Sequence, residues 1–69
     1  MSEEYLIGLF RKSIIEAKAD VMTELGRAVL RGAHPELLQE LAQQVERSEL
    51  LLRDEKGLRS IARSVLVSK

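Results

Sequence analysis

The sequence predicts an all-α protein: two long antiparallel helices forming a helical hairpin, one domain across residues 1–69. Three observations carry this. Apolar residues recur at steps of three and four over about thirty residues on each side of the chain's centre. Between the two halves stands Arg31-Gly32-Ala33-His34-Pro35-Glu36. There Gly32 accepts the left-handed conformation that closes a helix, and Pro35 suits the first turn of the next one. The apolar vocabulary is mainly Leu, Ile, Val and Ala, with Tyr5 and Phe10 the only aromatics. That mixture builds helical bundles rather than sheets.

The first helix has a start signal in Ser2, whose side chain can cap it. Glu3 and Glu4 follow in the first turn, where negative charge meets the positive end of the helix dipole. Its principal stripe is Ile7, Phe10, Ile14, Ala17, Val21, Leu25 and Ala28. A second row, Leu6, Ile15, Met22 and Val29, widens the apolar face. Arg27 and Arg31 complement the negative end of the dipole. Gly8 and Gly26 lie inside the helix. They are either tolerated weak points, each costing about 1 kcal/mol relative to Ala, or places where a neighbouring backbone comes close.

The second helix opens at Pro35 and Glu36, with His34 in the cap position. Leu38, Leu41, Val45 and Leu52 form its stripe. The polar run Arg53-Asp54-Glu55-Lys56-Gly57 follows, and then Leu58, Ile61, Ala62 and Val65 resume helical spacing one position out of step with Leu52. Drift of a straight helix against a 3.5-residue repeat explains the slip, and a bend near Gly57 explains it equally. Without a nearby proline, Gly57 is a weak breaker. The expectation is therefore a continuous or gently bent helix, with a short third helix as the alternative.

Antiparallel pairing about the turn sets residues whose numbers sum to about 66 against each other. Val29 then meets Leu37, Leu25 meets Leu41, Val21 meets Val45, Ile14 meets Leu52 and Ile7 meets Leu58. Ala17 against Ser48 or Glu49 is the weakest layer. One seam does not use all the apolar residues: Leu6, Leu9, Ile15, Met22, Val29, Leu30, Leu50, Leu66 and Val67 fall at its flanks or outside it, and among them is the second row Leu6, Ile15, Met22 and Val29. It is expected to face another chain, unless a segment after Gly57 folds back over part of it.

Composition narrows the function. A chain this short buries only about 60% of the surface its unfolded form exposes, so it leans on a partner, a metal or disulfides. With no cysteine and one histidine, disulfides are excluded and a structural zinc site is disfavoured. No cofactor is expected. Eleven basic and eleven acidic residues cancel, which removes any general attraction to nucleic acid or anionic lipid. The acidic start and the lack of a long apolar run point to the cytoplasm and away from the membrane. His34 has no convergent carboxylates or thiols, the serines lack a histidine within reach, and the glycines are scattered. The chain is not expected to be an enzyme.

From Gly57 onward the charges are Arg59, Arg63 and Lys69 with no acid, whereas Pro35 to Lys56 holds six acids and three bases. Arg59 and Arg63 are positioned to pair with Glu3 and Glu4 at the far end of the hairpin. Without stacking aromatics they make a poor nucleic-acid signature.

The run Leu30-Arg31-Gly32-Ala33-His34-Pro35-Glu36-Leu37-Leu38-Gln39, with Gln43 and Gln44 after it, resembles the turn of the small co-chaperones of type III secretion needle subunits. The similarity is specific over about ten residues, with length and helix pattern as support. It implies a helical hairpin that pairs with a larger tetratricopeptide-like chaperone. Together the two hold the needle subunit unpolymerised in the cytoplasm. The competing expectation is a self-associating chain, a homodimeric four-helix-bundle regulator that touches nucleic acid through Arg59 and Arg63.

Overall fold

The computed structural model describes residues 1–68. Lys69, counted above with the basic C-terminal stretch, lies outside the described residues. Three helices follow one another: α1 (Glu3–Leu30), α2 (Pro35–Arg53) and α3 (Glu55–Val67). No strand occurs among the described residues. At ~1.5 Å per residue α1 is about 42 Å long, close to the 46 Å length of the whole molecule. α2 and α3 in succession therefore run back along it.

The start and end signals act as their chemistry dictates. The Tyr5 amide donates to Ser2 Oγ at 3.1 Å, satisfying one of the donors a helix start leaves open. At the other end of α1, Gly32 takes φ +70°. Its amide donates to the Val29 carbonyl at 3.1 Å, and the Ala33 amide donates to the Ala28 carbonyl at 2.9 Å. This pair of bonds is the Schellman arrangement, which needs a left-handed residue where Gly32 stands. His34 caps α2, its Nδ1 accepting from the Glu36 amide at 3.3 Å.

The second helix is not continuous. It stops at Arg53, and Asp54 (φ −87°, ψ 76°) is at once the last cap of α2 and the first of α3. Asp54 Oδ1 accepts from the Gly57 amide at 3.0 Å, while the Leu58 amide donates to the Asp54 carbonyl at 3.0 Å. A Cβ on Gly57 would collide with the Asp54 carboxylate. The glycine leaves room for the capping side chain, so the breaker is Asp54, assisted by Gly57. The slip in the apolar stripe is the trace of this break. Leu58 and Ala62 pack on α1 in one cluster with Leu51, seven residues before Leu58.

Leu6, Ile7, Leu58 and Ala62 form the core cluster, with Phe10, Ile14, Leu51 and Leu66 packed around it. Leu58 and Ala62 are 1% and 0% exposed. Nearer the turn, Ala28 and Leu41 are buried, but Val21, Leu25, Leu37, Leu38, Val45 and Leu52 are only half-buried. Ala17 is exposed, in keeping with its place in the weakest layer. Val29, expected to meet Leu37, is exposed; Ala28, about 100° round the helix, takes its place. Gly8 and Gly26 have nothing within 4 Å of an added Cβ. Neither is a point of close helix approach within the chain.

Candidate functional site

The four residues of the second row divide between two environments. Leu6 is buried in the core against α3, which corrects the expectation that it faces a partner. The reason is angular. Leu6 precedes Ile15 by nine residues, which at ~100° per residue sets the two on opposite flanks of α1. Leu6 falls on the flank that α3 covers. Ile15, Met22 and Val29 are spaced by seven, so they drift only about 20° per step and stay in line. They remain 53%, 51% and 57% exposed. The segment after Gly57 does fold back, but it covers only the Leu6 side.

The uncovered row has a defined border. At the three- and four-residue spacings that make helical neighbours, Ile15 is flanked by Arg11, Lys12, Lys18 and Ala19. Met22 is flanked by Lys18, Ala19, Leu25 and Gly26. Open space over Gly26 leaves the surface beside Met22 and Val29 low. Arg11 and Lys18 are half-buried, and Arg11 Nε is buried without a hydrogen-bond partner. Among the described residues no carboxylate lies within ion-pair distance of Arg11, Lys12 or Lys18. The carboxylate in line with this row is Glu4, about five turns before Met22. It is engaged by Arg59 at 2.8 Å. Glu16, Asp20 and Glu24 project about 100° or more away round α1.

Two of the three basic residues of α3, Arg59 and Arg63, are already partnered. One Arg59 guanidinium nitrogen donates to Glu3 at 2.7 Å and to Glu4 at 2.8 Å, and the other donates to Glu55 at 3.3 Å. Arg63 Nε reaches the second Glu3 oxygen at 3.3 Å. The hydrogen bond from Arg59, reinforced by Arg63, holds the Glu3 carboxyl below its ordinary range, and the three carboxylates push the Arg59 guanidinium further up. This network ties the C-terminal helix to the start of α1.

Two open surface grooves accompany these features. One open groove runs along the outer face of α3 past Lys56, Ser60 and Ser64. Another runs along the first turns of α2 past His34, Glu36 and Gln39. Each is lined from one helix and its cap. Among the described residues no group of three or more His, Asp or Glu side chains is placed to hold a metal ion, and no helix is long and apolar enough to cross a membrane. Pro35 and Gly32 shape the turn and contribute no functional group. Comparisons with protein families, with curated proteins and with solved structures find no match to this chain.

Sequence reasoning missed the Asp54 cap. The signal was present: an Asp followed by an acid and, three positions on, by a residue whose amide it can bond.

Proposed function

We propose that the chain is a non-enzymatic protein-binding module, a helical hairpin that docks through α1 on a larger helical protein. The observation that carries this is the row Ile15, Met22 and Val29, three large apolar side chains in line and about half exposed. Left wet, each forgoes roughly 0.8–1.5 kcal/mol, about half of what full burial contributes. Met22, unbranched and polarizable, adapts to an irregular partner surface. The resemblance of the turn to needle-subunit co-chaperones of type III secretion supplies the specific form of the reading: a cytoplasmic co-chaperone that pairs with a larger helical chaperone and, with it, guards the needle subunit. The partnered state of Arg59 and Arg63 weighs against the rival reading of a regulator that binds nucleic acid.

A photo-crosslinking amino acid at position 22, in cells that express the full chain, tests the reading. A discrete adduct heavier than two copies of the chain is expected at Met22, and none at Arg27 on the polar side. Ile15→Asp with Met22→Asp should leave far-UV helical content nearly intact and, tested with a crosslinker at position 29, abolish the adduct. An identical pattern at positions 22 and 27 would sink the reading. An adduct of two copies would replace it with a homodimer.

A further inference from the structure

We infer that the partner segment taken by the α1 row is an amphipathic helix whose apolar stripe is bordered by carboxylates. The inference rests on the docking role proposed above and adds the chemistry of the occupant. Ile15 stands at the centre of three basic side chains, Arg11, Lys12 and Lys18, and none of them has a carboxylate within ion-pair distance among the described residues. Arg27, Arg47, Arg53 and Lys56 also lack an ion pair among the described residues, but Arg11, Lys12 and Lys18 are the ones that border the exposed row Ile15, Met22 and Val29. Arg11 is only half-buried, so a carboxylate brought in at this edge can pair with the accessible part of its guanidinium. An apolar stripe at heptad spacing is the surface a helix reads with its own i, i+3, i+4 and i+7 positions. Bases along its margin select acids along the margin of the incoming helix.

The same charges argue against a second copy of this chain. An antiparallel copy centred on Met22 sets Ile15 against Val29 and Lys18 opposite Gly26, which brings no carboxylate to Arg11, Lys12 or Lys18. A parallel copy stacks each base on its equivalent. The acid-rich helix α2 offers no substitute, because its outer face of Glu36, Gln39, Glu40, Gln43 and Glu46 carries no apolar stripe. Like charges brought into register disfavour the parallel copy and the antiparallel one leaves these bases unmet, whereas a heterologous acidic helix meets no such penalty.

The test uses the full chain and two synthetic helical peptides that share one leucine stripe, bordered by Glu in one and by Lys in the other. Affinity is measured by titration calorimetry at low and at near-physiological salt. The Glu-bordered peptide is expected to bind at least about tenfold more tightly, with the gap narrowing as salt rises. Lys12→Glu with Lys18→Glu should reverse the preference, an outcome that loss of structure does not produce; circular dichroism checks that both variants stay helical. Equal affinity for the two peptides, or no binding of either, overturns the acidic-helix inference. If the crosslink at position 22 to a heavier protein persists in that case, the docking role survives. Peptide binding that is unchanged by Ile15→Asp with Met22→Asp overturns the inference and removes the docking face with it. A dimer in solution that Met22→Asp dissociates overturns it in favour of the second copy.

Discussion

The two ends of the hairpin are held by different means. At the turn, two helices meet; backbone bonds and the left-handed Gly32 close the connection, and only Ala28 and Leu41 are buried. At the open end three helices meet, four side chains are buried together, and charged side chains of Glu3, Glu4, Arg59 and Arg63 bind across the gap. Two helices share one line of contact and leave most of their apolar stripes half-covered. A third helix closes the trough between them. The turn end is therefore specified chiefly by local conformation and the open end by non-local packing.

The largest expected effect breaks the open end. Leu58→Ala removes its largest fully buried side chain and should destabilise the protein by about 3 kcal/mol. The same change at half-buried Leu25 should take away roughly half as much. Denaturant unfolding of the two variants measures the difference, and equal losses would mean that the ends are packed alike.

Next comes the turn. Gly32→Val forces a β-branched residue into a left-handed backbone and should lower stability by about 1–2 kcal/mol without any change of core. An unmoved unfolding midpoint would show that the turn is not under conformational control.

The α2–α3 junction sharpens the contrast, since it is a local device that aims a non-local contact. Asp54→Ala should lower stability by about 1 kcal/mol. Amide exchange should quicken at Gly57 and Leu58 and stay unchanged at Gly32 and Ala33. Gly57→Ala should cost at most about 0.5 kcal/mol in the natural chain, where the new methyl displaces the Asp54 carboxylate and the lost cap outweighs the helix preference of Ala. In the Asp54→Ala background it should instead stabilise by about 0.5–1 kcal/mol, the ordinary helix preference of Ala over Gly. The same sign in both backgrounds would separate the glycine from the cap.

The smallest effect is the response to acid. Glu3 is held below its ordinary value of 4.5 by the hydrogen bond from Arg59 and by Arg63. A carboxylate whose folded-state value is depressed stabilises the fold above its unfolded value, and that contribution is lost as pH falls through the folded one. Acidification below about pH 4.5 should therefore loosen α3 first. Amide exchange at Leu58 and Ala62, corrected for intrinsic rates, should accelerate while that of Ala33 does not. Uniform acceleration at both ends would show that Glu3 does not act locally.

The starts of α1 and α2 and the turn could be read from the residues because capping is decided within four positions. Ser2, Gly32, His34 and Pro35 all act where their chemistry indicates. The seam was legible as spacing, except at Val29, where a one-residue choice of face is settled by packing and Ala28 wins. The docking row was legible only in part. Ile15, Met22 and Val29 share a heptad line; Leu6 was grouped with them by sequence proximity although nine residues of helix turn it to the opposite flank. The border of Arg11, Lys12 and Lys18 is written in the same spacings, but their lack of acidic partners is a property of the folded chain.

The sequence by itself determined that this chain is helical, where the first helix ends, how the second begins and which residues supply its apolar stripes. These follow from backbone preference, capping and 3.6-residue periodicity, which act over a few residues. The Asp54 cap that divides the second arm is local too, whereas tertiary structure alone decided that α3 covers Leu6 rather than Ile15, and that Arg59 binds Glu3 and Glu4 while Arg11 is left without a partner. Those outcomes depend on how one helix lies against another, and a rotation of a single residue position, about 100°, is enough to exchange a buried face for an exposed one.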